Sequence, residues 1–431
     1  MKILFTSLAL SGLLAATTAS AETLTIATVN NGDMIRMQGL TDDFTAANPD
    51  IKLEWVTLEE NVLREKVTTD IATKGGQFDV LTIGTYEVPI WAKKGWLVAL
   101  DKIDDVDDLL PAIRGGLSMD GKLFASPFYG ESSMVMYRKD LMEKAGLSMP
   151  DAPTWDFIGE AARKMTDKAG EVYGVCLRGK AGWGENMAFL SATANSFGAR
   201  WFDEQWLPQF DQPEWKNTLG YYLDLMKDAG PPGASSNGFN ENLALFNSGK
   251  CGMWIDATVA ASFVTNPKDS KVHDKVGFAL APDNGLGKRG NWLWAWSLAI
   301  PAGSAKVDAA QKFVSWATSK HYLELVASKE GWANVPPGTR TSLYMNPEYK
   351  KVPFAKMTLD SINSADPTKP TVKPVPYVGV QFVAIPEFAG LATTVGQIFS
   401  AALAGEKSLE DALAEAQTAA TREMTKAGYI K

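Results

Sequence analysis

Apolar positions along this chain alternate between a spacing of two and a spacing of three to four residues. Leu24–Thr28 and Lys52–Val56 read as strands. Each precedes a helix-periodic run, Met34–Ala47 closed by Asn48-Pro49 and Asn61–Lys74 closed by Gly75-Gly76. Phe78, Val80, Leu81 and Ile83 follow as a near-continuous apolar strand, the pattern of one covered on both faces, and an amphipathic segment then climbs to a stop at Gly95. A second series begins after Tyr137. It holds helices over Leu141–Ala145 and Trp155–Ala169, a strand over Val172–Leu177, and a helix over Glu214–Ala229 before Gly230-Pro231-Pro232-Gly233. Strands over Gly252–Ile255 and Val276–Leu280 close the series. This alternation predicts an α/β fold with mostly parallel sheets flanked by helices. Pro336-Pro337-Gly338 and the run Pro367, Pro370, Pro374, Pro376 mark ordered connections.

The first residues read as an export leader. Lys2 supplies the charge, Ile3–Ala16 the apolar stretch and Ala19-Ser20-Ala21 the small-residue cleavage site. That stretch is too short for a membrane anchor and is broken by Ser7, Ser11 and Gly12, so a signal peptide over 1–21 is expected. No later stretch nears about 18 uninterrupted apolar residues, which predicts no stable membrane insertion. About 410 residues remain after cleavage, more than one core accommodates, and two lobes are expected. The net charge of −8 becomes one unit more negative once Lys2 leaves, which argues against nucleic acid as a partner. The only cysteines, Cys176 and Cys251, each lie in a strand-like run. Export permits a disulfide between them; two buried free thiols remain the alternative.

Catalytic signatures are thin. The only histidines, His273 and His321, are far apart in polar contexts, which removes most Ser-His, Cys-His and zinc arrangements. No nucleophile elbow, no P-loop and no G-x-G-x-x-G opening a helix is present. Asp104-Asp105-Val106-Asp107-Asp108 lacks the glycine and closing glutamate of a calcium loop and reads as a solvated acidic turn. No metal and no cofactor are expected.

Tryptophan changes the picture: there are 14, many beside polar side chains. Trp183 sits between two glycines in Gly182-Trp183-Gly184-Glu185-Asn186, an unusual setting for a core indole. Trp292, Trp294 and Trp296 alternate, so on a strand they share one face. At least one is expected in the core, while Arg289 and Asn291 favour a cleft edge for Trp292 or Trp294. Trp332-Ala333-Asn334 and Thr339-Arg340-Thr341 form another polar-aromatic loop. Thr85-Tyr86-Glu87 follows the apolar strand, and ligands in open α/β sheets bind beyond strand carboxyl ends. Indoles pack on sugar C–H faces, carboxylates accept from hydroxyls and arginine supplies paired donors, so the set suits carbohydrate. Glu60 completes it.

Several motifs stand in a familiar order. Ala72–Leu100 combines Gly75-Gly76, Asp79-Val80 and Gly95-Trp96-Leu97. Phe128-Tyr129-Gly130-Glu131 leads into Met136–Leu141, Phe246–Lys250 leads into Met253–Asp256, and helices over Ala309–Trp316 and Leu409–Ala420 follow. Over most of the chain this resembles the periplasmic (extracellular) solute-binding proteins of bacterial ABC sugar importers, family 1, the maltose-binding-protein-like group. Within it the chain is most similar to the sorbitol/mannitol (polyol)-binding branch.

The resemblance implies a two-lobed periplasmic-binding-protein fold of type II, joined by a multi-crossover hinge. Crossings would fall near Pro127–Glu131, near Trp296–Pro301 and after Leu343. The N-terminal lobe would then be 22–130 and 301–343, and the C-terminal lobe 131–300 and 344–431. The resemblance also implies a monomer in the periplasm that catalyses nothing and delivers a sugar or polyol to the transporter's permease subunits. The family's ligand loops map onto Asn30, Asn31 and Asp33, onto Tyr86 and Glu87, onto Glu131, and onto Met253–Val259 with Asp256. Val259 stands where the family carries a stacking tryptophan, which favours a small polyol over an oligosaccharide. A secreted glycoside hydrolase, which also combines tryptophan with carboxylate pairs, and a ligand-presenting protein for a chemoreceptor are the alternatives.

Overall fold

The computed structural model describes residues 21–431. The leader expected over 1–21 lies outside the described residues except for Ala21. Eleven strands are present among them. They are β1 (Glu22–Val29), β2 (Ile51–Leu58), β3 (Val80–Ile83), the small hairpin β4 (Ser118–Met119) and β5 (Lys122–Leu123), β6 (Ala125–Glu131), β7 (Ser133–Arg138), β8 (Tyr173–Cys176), β9 (Cys251–Ala257), β10 (Val276–Leu280) and β11 (Trp294–Ala299). They build two main sheets, ordered β2-β1-β3-β11-β6 and β10-β7-β9-β8. Each carries helices on its faces and forms the core of one lobe.

Local chemistry explains the elements nearest the cleft. The helix Glu60–Thr73 starts where the Glu59 carboxylate accepts from the Asn61 and Val62 backbone N–H groups, satisfying donors that a helix start leaves free. It ends with Lys74 in the left-handed conformation, φ 54°. All four residues of β3 are buried, as its unbroken apolar run requires. The single helix expected over Met34–Ala47 is instead two, Gly32–Gln38 and Asp42–Ala47. The Thr41 hydroxyl and the Gly39 N–H bond back onto the Gln38 and Arg36 carbonyls and close the first helix early.

Both sheets are mixed where the alternation of elements suggested mostly parallel ones. β1 runs parallel to β2 and β3, but β11 is antiparallel to β3 and β6. In the second sheet β7 is antiparallel to β9 and β10, and only β8 and β9 are parallel. The cause is chain crossing. β7 and β11 enter their sheets at the cleft and run away from it, while β3, β6, β8 and β9 run toward it. Strand carboxyl ends from both sheets therefore face one another across the cleft.

Only Ser132 separates β6, in the first sheet, from β7, in the second. The return differs from the sequence-based boundary. Trp294 already pairs with Glu131, so residues 294–299 belong to the first sheet, and the crossing precedes Trp294 rather than falling near residues 296–301. The expected C-terminal-lobe segment 131–300 is thus too long at its end. The run Trp294–Ala299 is apolar enough to serve either sheet, so its composition does not reveal its partner. Farther on, helix Thr341–Met345 is followed by helix Ala355–Asn363, which packs on β7 and β10.

Cys176 and Cys251 form a disulfide joining β8 to β9, 75 residues apart in sequence. On the chain-entropy account a loop of that length contributes about 4 kcal/mol. Thiol labelling of the denatured, unreduced protein should give no signal. Reduction should lower the denaturant midpoint; two reactive thiols in exported protein would contradict the bond.

Candidate ligand-binding site

The strand ends enclose a narrow cavity between the lobes. Two buried guanidiniums dominate it. Arg64 stands one turn after Glu60 on the helix Glu60–Thr73, the spacing at which helical side chains meet. Its Nε and Nη2 donate to Glu60 Oε1 at 3.0 and 2.9 Å, and its Nη1 donates to Glu87 Oε1 at 2.7 Å. Its guanidinium carbon lies 4.0 Å from the Trp183 ring centroid, 4.7 Å from Trp296 and 5.1 Å from Trp294. Weakly hydrated guanidinium is suited to such stacking.

Arg178 lies just beyond β8 and grips Asp256 of β9 with two parallel bonds, Nε to Oδ2 at 2.9 Å and Nη2 to Oδ1 at 2.7 Å. Its Nη1 donates to the Gly184 carbonyl at 2.8 Å and approaches Glu185 Oε2 at 3.4 Å. Glu131, the last residue of β6, lines the same cavity and is 5 % exposed. Burial pushes its carboxyl up to about 8; Arg178 pulls the other way, while the charges of Asp256 and Glu60 push it further up. Burial likewise raises the Glu185 carboxyl against Arg178 and Lys180.

The cavity brings together Asn31, Glu60, Glu131, Trp183, Trp292 and Trp294 from the sequence-derived set, with Val259 also in the lining. Trp296 lines it as well, so all three alternating tryptophans are both buried and cavity-facing. Four residues of the set stand one layer back or at the rim. Asp256 and Glu87 hold Arg178 and Arg64. Tyr86 packs behind Trp183 at 4.8 Å between ring centroids, its hydroxyl donating to the Ile385 carbonyl at 2.9 Å. Asn30 lies at the rim, accepting from Asn240 Nδ2 at 3.2 Å. Asp33 turns away and pairs with Arg36.

Two residues fall outside the cavity. Arg340 is buried elsewhere and spends its donors on the backbone carbonyls of Thr318, Asp104 and Asp105, stapling the acidic turn to its lobe. Trp332 sits in the short turn Trp332–Asn334, half-buried against the core. The set also lacked Arg64, Arg178, Tyr129 and Gln381. Of these Arg64 carried a local signal, its four-residue spacing from Glu60, and Tyr129 another, its two-residue spacing from Glu131 on one strand.

Other contacts draw the lobes together at the rim. Lys180 Nζ lies 2.7 Å from Glu59 Oε1, and Asn61 Nδ2 donates to the Ala181 carbonyl at 3.2 Å. The glycines around Trp183 allow this approach: a Cβ on Gly184 would stand 2.0 Å from Glu60 Oε1, and one on Gly182 2.5 Å from Asn61 Oδ1.

Comparison with known proteins agrees with this architecture. Residues 31–322 match the family of bacterial extracellular solute-binding proteins. A mannitol-binding protein of Pseudomonas aeruginosa is 58% identical over 414 residues, covering 95% of each chain. The crystal structure of an ABC transporter solute-binding protein from Agrobacterium vitis S4 with bound D-mannitol shares 77% identity. It superposes with a TM-score of 0.94 over 95% of this chain and 100% of that one. A solute-binding protein from Agrobacterium radiobacter K84 in complex with ribitol is 25% identical, with a TM-score of 0.82 over 94% of this chain and 99% of that one. With its two lobes, its crossing strands and a cavity built from both sheets, the chain belongs to the bacterial extracellular solute-binding proteins of ABC transporters.

Proposed function

We propose that this protein captures a small linear polyol, D-mannitol foremost, and that its closed form delivers the ligand to the membrane permease. The observation that carries the reading is the cavity itself. Donors from Arg64, Arg178 and Asn31 and acceptors from Glu60 and Glu131 converge between indoles, with Val259 in the lining. The mannitol bound to the Agrobacterium vitis relative and the mannitol-binding relative from Pseudomonas support it. Calorimetry with D-mannitol, sorbitol, ribitol and maltose tests the reading. D-mannitol should bind, and at about 100 times its dissociation constant should add about 2.7 kcal/mol of stability. Binding of maltose alone would overturn it.

In this reading one lobe comprises residues 22–131 and 294–345 and the other 132–293 and 355–431, closing as rigid bodies about the crossings. The protein works in the periplasm as a monomer, and no catalytic step is assigned to it. Ligand binding selects the closed form, because only there do residues of both lobes meet one molecule. Closure then requires the short approach at Gly184. Gly184→Ala should weaken mannitol binding by at least about tenfold while leaving the unliganded melting temperature nearly unchanged. Full affinity in that variant would mean that the lobes close less tightly than the contacts at Glu60 imply.

A further inference from the structure

We propose that the cavity also accepts a protonated amino-alditol, a linear polyol with one terminal hydroxyl replaced by ammonium, and that the ammonium seats against Glu131. The inference rests on the polyol reading of the site and extends its ligand class to a cation.

The charge inventory points there. Arg64 is committed to Glu60 and Glu87, and Arg178 to Asp256 and Glu185. Lys180, at the rim, is committed to Glu59 and Glu185. Glu131 is left over: among the described residues it forms no ion pair, and it stands in the cavity lining beside Trp292. Asp256 and Glu60 act on it as anions and Arg178 as a cation; that guanidinium is already held by Asp256 at two points, and Arg64, in the same lining, by Glu60 and Glu87. A carboxylate buried in this way retains a proton or finds a donor. A polyol hydroxyl offers one uncharged donor. An ammonium offers three donors and the missing positive charge. Exchanging a terminal hydroxyl for ammonium adds no heavy atom, so a cavity that holds the alditol has room for the amine. Mannitol is two-fold symmetric, so both ends yield the same amine and either end of the bound alditol supplies the pose.

The pH dependence follows with a definite sign. Burial holds Glu131 up to about 8. An ammonium therefore displaces a proton near neutral pH, and amine affinity rises as pH climbs toward 8. It falls again once the free amine loses its own proton, whereas affinity for the neutral alditol shows no such fall.

Calorimetry of the mature protein with 1-amino-1-deoxy-D-mannitol and D-mannitol in parallel tests this. At about pH 7 the amine should bind within about tenfold of mannitol. Glu131→Gln should lower the amine-to-mannitol affinity ratio by at least about tenfold. In the unmodified protein the ratio should fall by a similar factor between about pH 8 and about pH 11, above the ordinary range of an ammonium. The pH series decides the matter alone if Glu131→Gln fails to fold. Mannitol binding without the amine overturns the inference, as does a ratio that moves neither with Glu131→Gln nor with pH. Amine binding without mannitol keeps the Glu131 assignment and overturns the polyol reading instead.

Discussion

Burying two guanidiniums between the lobes sets the terms for everything around them. Removing a full charge from water costs far more than an exposed ion pair returns, so each must be surrounded by acceptors and polarisable surface. Arg64 meets this with Glu60, Glu87 and three indoles, and Arg178 with Asp256, Glu185 and the Gly184 carbonyl. The partners of Arg64 come from both lobes: Glu60, Glu87, Trp294 and Trp296 share its side, whereas Trp183 arrives from the opposite one. The Arg64 guanidinium thus meets an indole face of the opposite lobe. That contact links the position of the lobes to the chemistry of the cavity before any ligand is considered.

The crossings join the two sides at one place. Ser132 is buried at the single-residue step between β6 and β7, where its N–H donates to Thr258 Oγ1 at 3.2 Å and its hydroxyl to the Trp292 carbonyl at 2.6 Å. Asn291 Nδ2 donates to the same hydroxyl at 3.0 Å. Outgoing and returning segments are therefore stitched together at the cleft base, and Glu131 and Trp294, paired across the ladder, belong to that base. The Trp183 loop and the start of the helix at Glu60 lie on opposite sides of the cleft. Glu131 therefore belongs to the base where the segments cross, and Trp183 to a wall away from it.

What was readable in the sequence follows from how local each feature is. Strands with period-two or unbroken apolar runs, helices with caps, the first crossing at a Pro/Gly-flanked glutamate and an indole between glycines all announce themselves within a few residues. The Arg178–Asp256 pair does not, because its members are 78 residues apart and only the parallel register of β8 and β9 brings them together. Arg340 shows the converse. A polar-aromatic loop has the same composition whether its guanidinium faces a ligand or, as here, three backbone carbonyls. The mixed sheets escaped for a topological reason: strand direction depends on which lobe a segment came from, and alternation of elements carries no record of that.

Tyr86 shows how far the site extends beyond the atoms that meet the ligand. It follows β3, where a ligand contact was expected, yet its ring points across the cleft into Trp183, Phe382 and Phe388. Its hydroxyl donates to the Ile385 carbonyl and accepts from the Ala389 N–H at 3.2 Å, tying the first lobe to the start of the helix Phe388–Leu403. That helix packs on the helix Asn186–Ser196, which the Trp183 loop leads into. The indole over Arg64 is thus braced from behind, within its own lobe, by a C-terminal segment far away in the chain, and Tyr86 reaches that brace from the other lobe. The fit of one lobe against the other shapes such a site alongside hydrogen bonds to hydroxyls, because the Trp183 wall is met across the cleft by Tyr86 and Arg64.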